Sequence, residues 1–367
     1  MGAERARVGL VYTYQGLRRI PVEEATVGEI VAVTGLEGAN LGETITDFED
    51  PRPLPALTVD EPTLTMRFSV NDSPFAGQEG QYVTSRHLRE RLEKELERNV
   101  SLRVEETESP DVFQVSGRGE LHLSILIETM RREGYELAVS KPRVITKEEN
   151  GRVLEPVELL ILDIPEEFMG VVMELVGTRK AELVNLNNAG TGHLRLEFTI
   201  PARGLIGLRS DFLTQTKGYG IMHHLFSGYG PHRGEIPGRT RGSMIATDTG
   251  EATTYALHNL QERGVLFIGP GIRVYAGMVV GEHSRERDLE VNVCKKKHVT
   301  NVRSSTAEET LRLSPPRLLS LEEALEQIAD DELVEVTPRS IRLRKGLLDP
   351  IARERARKKE VSVTNKN

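Results

Sequence analysis

The chain has 367 residues, 28% of them charged and 5% aromatic, with no tryptophan and a formal net charge of −8. That length allows roughly two to four domains with sizeable cores. No apolar run approaches the length a bilayer needs, "MGAERARVGL" lacks the apolar core of a signal peptide, and the single cysteine, Cys294, excludes an internal disulfide, so a reducing cytoplasm is the expected location.

In chain order, "RVGLVYTY", "EIVAVTGL" and "GETITDF" read as short strands separated by turn residues. Three such strands leave edges unpaired and bury little surface. "DPRPLPAL" carries three prolines and reads as a linker. From Thr63 the pattern becomes ordered. "TLTMRFSV" alternates as a strand, and "TSRHLRERLEKELERN" spaces Leu88, Leu92 and Leu96 as an amphipathic helix behind a Thr/Ser cap. "VSLRVEET" and "VFQVSG" form an expected hairpin, "GELHLSILIETMRREG" a helix closed by Gly134, and "YELAVS" a last strand. The order is β-α-β-β-α-β.

The same order returns from Glu155. "PVELLILDI" is a strand and "PEEFMGVVMELVGT" a helix with Pro165 in its first turn. "AELVNLNN" and "GHLRLEFTI" pair around "NAGTG", "RGLIGLRSDFLTQTKG" is the second helix, and "YGIMHHLFS" the closing strand. The spacing of the helices is kept as well as the order, which predicts two ferredoxin-like, split βαβ domains.

Beyond "GYGPHRGEIPGRTRG" the grammar changes. Strands "GSMIATD" and "RVYAGMVVGEH" surround one short helix, "TTYALHNLQERG", and "SLEEALEQIADDE" opens with a capping box from Ser320 to Glu323. "LVEVTP" and "SIRLRKG" predict a hairpin, and "DPIARERARKKE" a last helix capped by Asp349. The expected fold is therefore α+β and multidomain: a partial β-barrel, two ferredoxin-like domains, and a separate, mainly β C-terminal domain with a few helices.

Catalytic constellations are missing from the pattern. Gly-Lys occurs nowhere, so no phosphate-binding loop ending in Gly-Lys-Ser/Thr is encoded. "GRGELHL" has Leu and His where a dinucleotide fingerprint needs a third glycine. His223 and His224 are adjacent in a strand and point to opposite faces, and His122 reads as a hydrogen-bonded structural residue. Cys294 sits among lysines that would lower its pKa, yet no His/Asn or second Cys supports a nucleophile or a zinc site.

Charge is unevenly placed. From Arg339 to the end there are ten Lys/Arg against three Asp/Glu, a balance of +7 that leaves −15 on the rest of the chain. "VNVCKKKHVTNVRSST" holds Lys295, Lys296, Lys297 and Arg303 without one carboxylate. A purely structural loop has no need of three successive lysines, whose repulsion is relieved only by solvent or a polyanion. Arg203 and Arg209 in "PARGLIGLRSDF", Arg233, Arg239 and Arg241 in "PHRGEIPGRTRG", and Arg342, Arg344 and Lys345 in the basic tail are further candidates. None is interleaved with aromatic residues, which favours phosphate contact over base stacking.

"SGRGELHLSILIETMRREGYELAVSKPRVI" resembles the third domain of elongation factor G-type translational GTPases, and "EPVELLILDIPEEFMGVVMELVGTRKAEL" with "IPARGLIGLRSDFLTQTKGYG" resembles their fifth. "LQERGVLFIGPGIRVYAGMVVGEHSRERDLEVNVCKKKHVTNVRSS" and "EQIADDELVEVTPRSIRLRK" are similar to the C-terminal domain peculiar to the BipA, or TypA, family. The resemblance covers nearly the whole chain. It implies residues 1–50 as the later part of a β-barrel, 51–61 as linker, 62–150 and 151–230 as the two ferredoxin-like domains, 231–360 as the BipA-specific domain and 361–367 as a tail.

It also implies a C-terminal fragment of a ribosome-binding GTPase implicated in large-subunit assembly and stress-responsive translation. The implied partners are the factor-binding region of the large subunit, rRNA, A-site tRNA and ribosomal proteins, met as a monomer and without a membrane. GTP and magnesium would belong to the full-length family protein, leaving this chain without cofactor or enzymatic activity. By the same resemblance the loop after Cys294 reaches the acceptor end of A-site tRNA. Lys295, Lys296, Lys297 and Arg303 would then meet phosphates, with His298, Asn301 and Ser304 as hydrogen-bonding groups. The rival readings are a stand-alone metabolic enzyme on ferredoxin-like domains, which lacks a catalytic cluster, and an anionic-membrane module, which lacks a strongly apolar helix face. Calorimetric titration of this chain with GTP and magnesium is expected to give no saturable heat; a micromolar site would overturn that expectation.

Overall fold

The computed structural model describes residues 5–36, 39, 42–55, 61–188, 190, 192–236, 238–296 and 312–364, with side chains to residue 359. Two compact units are distinguished, Met1–Asp60 with Lys94–Val100, and Glu61–Glu93 with Ser101–Asn367.

In the first unit, β1 (Val11–Gln15), β2 (Arg18–Val22) and β3 (Val31–Val33) form an antiparallel sheet in the order β2-β1-β3. Among the described residues this sheet is not closed into a barrel. "GETITDF" is not the third strand, because residues 42–48 carry no strand. The partner is β2, turned back on β1 through Gly16-Leu17 with Gln15 opposite Arg18. Pro21 disguised it: proline cannot donate to a ladder, but β2 lies at the sheet edge, where that donor is not needed.

In the second unit, β4 (Leu64–Val70), α1 (Ser85–Leu96), β5 (Arg103–Glu106), β6 (Val112–Gly117), α2 (Glu120–Glu133) and β7 (Leu137–Ser140) follow in the expected connection. Their strands lie in the order β7-β4-β6-β5 with antiparallel neighbours. Leu88 and Leu92 of α1 and Leu123, Ile127 and Met130 of α2 are buried over Phe68, Phe113 and Val115. Helix α2 stops at Gly134, whose left-handed backbone (φ 99°) lets its N–H reach the carbonyl of Arg131.

After β8 (Arg143–Val144) and β9 (Lys147–Glu149), the connection repeats as β10 (Arg152–Pro165), α3 (Met169–Thr178), β11 (Glu182–Asn188), β12 (His193–Pro201), α4 (Ala202–Leu205), α5 (Leu208–Gln215) and β13 (Ile221–Pro231). The sheet order is β11-β12-β10-β13. Leu160, Leu162, Val172, Leu196, Phe198 and Phe212 fill its core. One expected helix is thus two: the chain turns a corner at Ile206-Gly207, and Gly207 takes φ 71°, a conformation that side-chain-bearing residues avoid.

The remainder comprises β14 (Ser243–Ala246), β15 (Gly250–Glu251), α6 (Thr254–Leu260), β16 (Gly264–Leu266), β17 (Arg273–Val274), β18 (Met278–His283), β19 (Leu289–Val291), α7 (Leu321–Gln327), β20 (Glu332–Val336), β21 (Ile341–Lys345) and α8 (Pro350–Thr364). The capping box forms as read: the Ser320 hydroxyl accepts from the Glu323 amide at 3.2 Å, and the Ser320 amide donates to the Glu323 carboxylate at 2.9 Å. The expected separation of this region is not a break in the sheet. Strand β20 pairs with β21 on one side and β7 on the other, giving the continuous order β19-β14-β18-β21-β20-β7-β4-β6-β5. The core is continuous too, because Leu321, Leu325, Val334 and Leu343 pack in the same cluster as Leu123 and Ile127.

The opposite face of the β20–β21 hairpin is covered as well. There Glu335, fully buried, accepts from the Tyr275 hydroxyl at 2.6 Å, Ser73 Oγ at 2.9 Å, Asn71 Nδ2 at 3.1 Å and Arg342 Nη1 at 3.0 Å. Burial, and after it Glu335, pushes the Tyr275 hydroxyl far above the usual phenol range, so it remains a donor. Phe75 lies edge-on to Tyr275, its ring centroid 5.0 Å away, beneath the guanidinium groups of Arg273 and Arg342. The loop bearing Phe75 is folded around buried Glu136, which accepts the amides of Gly77, Glu79 and Gly80 at 2.7, 2.8 and 2.6 Å.

Replacing Glu335 by Ala strips the Arg342 charge and three neutral donors of their common acceptor. The expected loss is about 3 to 5 kcal/mol in chemical denaturation, with faster hydrogen exchange across residues 73–80. A loss near zero would show that the network is incidental to the joined sheet.

Candidate nucleic-acid interface

The chain leaves β19 through Asn292 to Lys296 and is tied to α6 as it goes. The Thr253 amide donates to the Val293 carbonyl at 2.9 Å, and the Thr253 hydroxyl donates to the Lys295 carbonyl at 2.6 Å. That hydroxyl also accepts from the Ala256 amide at 3.2 Å, capping α6. On the return, Gln261 just beyond α6 donates to the Arg312 carbonyl at 3.2 Å and accepts from the Ser314 amide at 3.0 Å. Both described ends of the cationic segment are therefore pinned to opposite ends of one short helix. Lys295 and Lys296 are exposed, and neither has a carboxylate partner among the described residues. Lys297, His298, Asn301, Arg303 and Ser304 lie outside the described residues, as does the larger part of the expected strand "AEETLRLS". The expected lowering of the Cys294 pKa is reversed: burial, with Asp248 beside it, pushes the thiol up.

The secondary cations are mostly spent inside the protein. Arg203 lies on α4 and holds the fully buried Glu155 at 2.5 Å, and the same carboxylate accepts the Arg233 amide at 2.7 Å. The Arg233 guanidinium donates to the Lys180 and Thr199 carbonyls at 3.0 and 2.9 Å. Arg239 bridges the Gln327 carbonyl at 2.7 Å and Ser243 Oγ at 2.8 Å, with Glu332 at 3.3 Å. Arg342 is held between Glu79 and Glu335. Arg344 and Lys345 were expected on an open face, but their side chains are only 1% and 2% exposed, paired with Asp72 and with Asp288, Asp331 and Glu332 respectively. That corrects the phosphate-contact expectation for these two: neighbours in one strand, they point to opposite faces of the hairpin, and both faces are covered. Only Arg209, exposed on α5, and Arg241, 57% exposed and 3.9 Å from Glu282, present an open guanidinium among the eight.

Sequence reasoning missed the carboxylates that receive these cations. A signal existed, since Glu332 lies directly opposite Lys345 and Glu335 opposite Arg342, acids on one strand matched to bases on the next. The histidines behave structurally: His224 Nδ1 meets Glu158 at 2.5 Å, and His122 Nδ1 accepts the Arg118 amide at 3.3 Å. Among the described residues no His/Cys/Asp/Glu group is arranged to hold a metal, and no helix is long and apolar enough to cross a membrane.

The "RGLIGLRSDF" corner between α4 and α5 is braced by Arg179, which donates to the Gly204 and Ile206 carbonyls at 3.0 and 2.6 Å and pairs with Asp211 at 2.6 Å. Two carboxylic acids from other elements close on it. Glu326 of α7 accepts from Ser210 at 3.1 Å, and Glu120 of α2 accepts from the Gly207 backbone. Burial first, and Glu326 next, push Glu120 up to about 7, while burial also raises Glu326.

Residues 241–350 match the TypA/BipA C-terminal domain, and residues 152–240 match the elongation factor G C-terminus. Over 359 residues the chain is 53% identical to the large ribosomal subunit assembly factor BipA of Bacillus subtilis, an alignment that covers 98% of this chain and 59% of that protein. The chain belongs to the TypA/BipA family. Other BipA relatives agree, with 54% identity over 341 residues in Synechocystis and 53% over 352 in Salmonella typhimurium, covering 93% and 96% of this chain. The chain spans 57% to 59% of the length of these curated BipA proteins.

The corner of this TypA/BipA chain carries a pH dependence. Glu120 has a folded-state pKa near 7, above its ordinary 4.5, so its stabilising contribution is complete below about 4.5 and is lost as pH rises through about 7. Glu120→Gln, always neutral, is expected to melt higher than the parent above pH about 7, with the gain vanishing toward pH about 4.5. Thermal melts over that range check this, and a gain independent of pH would contradict it.

Proposed function

We propose that this chain is the ribosome-, rRNA- and tRNA-contacting C-terminal portion of a BipA-type translational GTPase that acts in assembly of the large ribosomal subunit. The two β-α-β-β-α-β stretches are, in this reading, ferredoxin-like domains corresponding to the third and fifth domains of elongation factor G. GTP and magnesium belong to the part of the relatives outside the alignment, and the protein works in the cytoplasm as a monomer, with a role in stress-responsive translation.

One observation carries the reading. The chain neutralises most of its candidate cations internally, yet it leaves Lys295 and Lys296 exposed and without a carboxylate partner among the described residues, at the root of a segment tethered to α6. Unsatisfied cations on an acidic protein favour a polyanion, and phosphate contact through lysine and arginine needs no aromatic platform. The factors named for large-subunit assembly supply the polyanion class: ribosomal RNA, with the acceptor end of A-site tRNA as the target of this loop.

The test is cosedimentation with large ribosomal subunits over a salt series. A variant with Lys295, Lys296, Lys297 and Arg303 all replaced by Ala should keep its melting temperature and bind more weakly. Its log–log salt dependence should flatten by roughly 3 to 4 units if all four cations meet phosphates. Unchanged affinity and slope in the folded variant would reduce the loop to a solvated surface.

A further inference from the structure

A groove of about 990 Å³ opens between α8 and the sheet, with walls from β4, β20 and the turn after β7. Each of the six carboxylates along it is in an ion pair with the protein, the six sharing Lys345, Arg353, Arg143 and Lys358. Lys345 holds Asp288, Asp331 and Glu332 at 2.7 to 3.0 Å, Arg353 holds Glu290 at 2.8 Å, Arg143 holds Asp330 at 3.3 Å, and Lys358 holds Glu354 at 2.8 Å. Three cations remain: Arg67 on β4, Lys141 after β7 and Arg357 on α8. None has a carboxylate within ion-pair distance among the described residues, and Glu354, one turn before Arg357, is engaged by Lys358. They come from both walls of the groove, and with the four paired cations they bring it to seven cations against six carboxylates, a small positive balance carried by these three.

The rest of the lining selects among anions. Gln114 offers a side-chain amide, the hydroxyls of Thr65 and Ser140 are already bonded within the protein, and no aromatic ring lines the groove. A free nucleotide is usually held by stacking its base as well as by its phosphates, whereas a polynucleotide backbone needs only spaced cations and hydrogen-bonding groups.

We propose that this groove binds the sugar–phosphate backbone of RNA, as a site separate from the loop after Cys294. The proposal rests on the reading that the chain works on RNA and adds a second place where it does so. Arg67, Lys141 and Arg357 each take a phosphate, and the groove reads no base.

The experiment measures binding of the whole 367-residue chain to fluorescein-labelled oligo(U) and oligo(A) RNA by anisotropy over a salt series. The parent is compared with the triple variant Arg67→Ala, Lys141→Ala, Arg357→Ala, with the four-site loop variant, and with the two combined. Melting temperatures control for folding, and the charge-keeping Arg67→Lys, Arg357→Lys variant provides a second check. The triple variant is expected to bind more weakly and to lose about 2 units of log–log salt slope, equally for both sequences. The lysine variant should retain the parent slope, and the loop variant should lose its own share independently. If the triple variant matches the parent while the loop variant is impaired, the groove is not an RNA site and the proposed function stands. If no variant alters binding to RNA or to ribosomal subunits, the proposed function itself fails. Competition by inorganic phosphate or AMP as effective, per molecule, as competition by unlabelled RNA would assign the groove to a small phosphorylated ligand and overturn the RNA proposal.

Discussion

Burying both faces of the β20–β21 hairpin is the constraint on which the second unit depends. A hairpin with acids on one strand and bases on the next ordinarily leaves that polar face in water. Here one face carries Val334, Val336 and Leu343 into the main core, and the other is closed by Tyr275 and the loop around Phe75. Charge removed from water must be paired and hydrogen-bonded, or the cost exceeds what apolar burial returns. Glu335 meets that condition with four donors, and Glu332 with Ser243, Lys345 and Arg239. Such pairs add little net stability over an apolar core of the same shape, but they tolerate few alternatives. They fix which loop covers which strand.

That internal use of charge also sorts the surface. Cations that sequence alone places in one class divide into two by environment. Arg203, Arg233, Arg239, Arg342, Arg344 and Lys345 complete carboxylates or carbonyls inside the protein, and their loss would act on stability. Lys295, Lys296, Arg67, Lys141 and Arg357 have no carboxylate within ion-pair distance among the described residues. A protein of formal charge −8 can therefore meet a polyanion at restricted places while its acidic remainder disfavours indiscriminate attachment.

Much of the fold was legible because its signals are local. The leucine spacing of α1, the terminal glycine of α2 and the Ser320–Glu323 box each specify an element from a few adjacent residues. The errors came where position in the sheet decided. Pro21 argues against a strand unless the strand is an edge, and edge status is not a local property. The helix "RGLIGLRSDF" breaks because Gly207 turns a corner against Glu120 and Glu326, residues far away in the chain. For the site, the acid-free run after Cys294 was readable from composition. The groove was not: Arg67, Lys141 and Arg357 are unremarkable until tertiary structure shows that each acid lining the groove is held by another cation.

The pairing of β20 with β7 has a consequence for how the chain is made. Val334 lies opposite Val139, so the middle of the long sheet closes only across an extended stretch of sequence. Contacts of that separation form late, because the intervening chain must first lose its freedom. During synthesis β7 is an edge with unpaired backbone groups until β20 has left the ribosome. The second β-α-β-β-α-β stretch, whose strands pair with one another, can fold in that interval. Completion of the long sheet thus waits for β20 to be made, and a chain cut short before β20 leaves the edge of β7 uncovered.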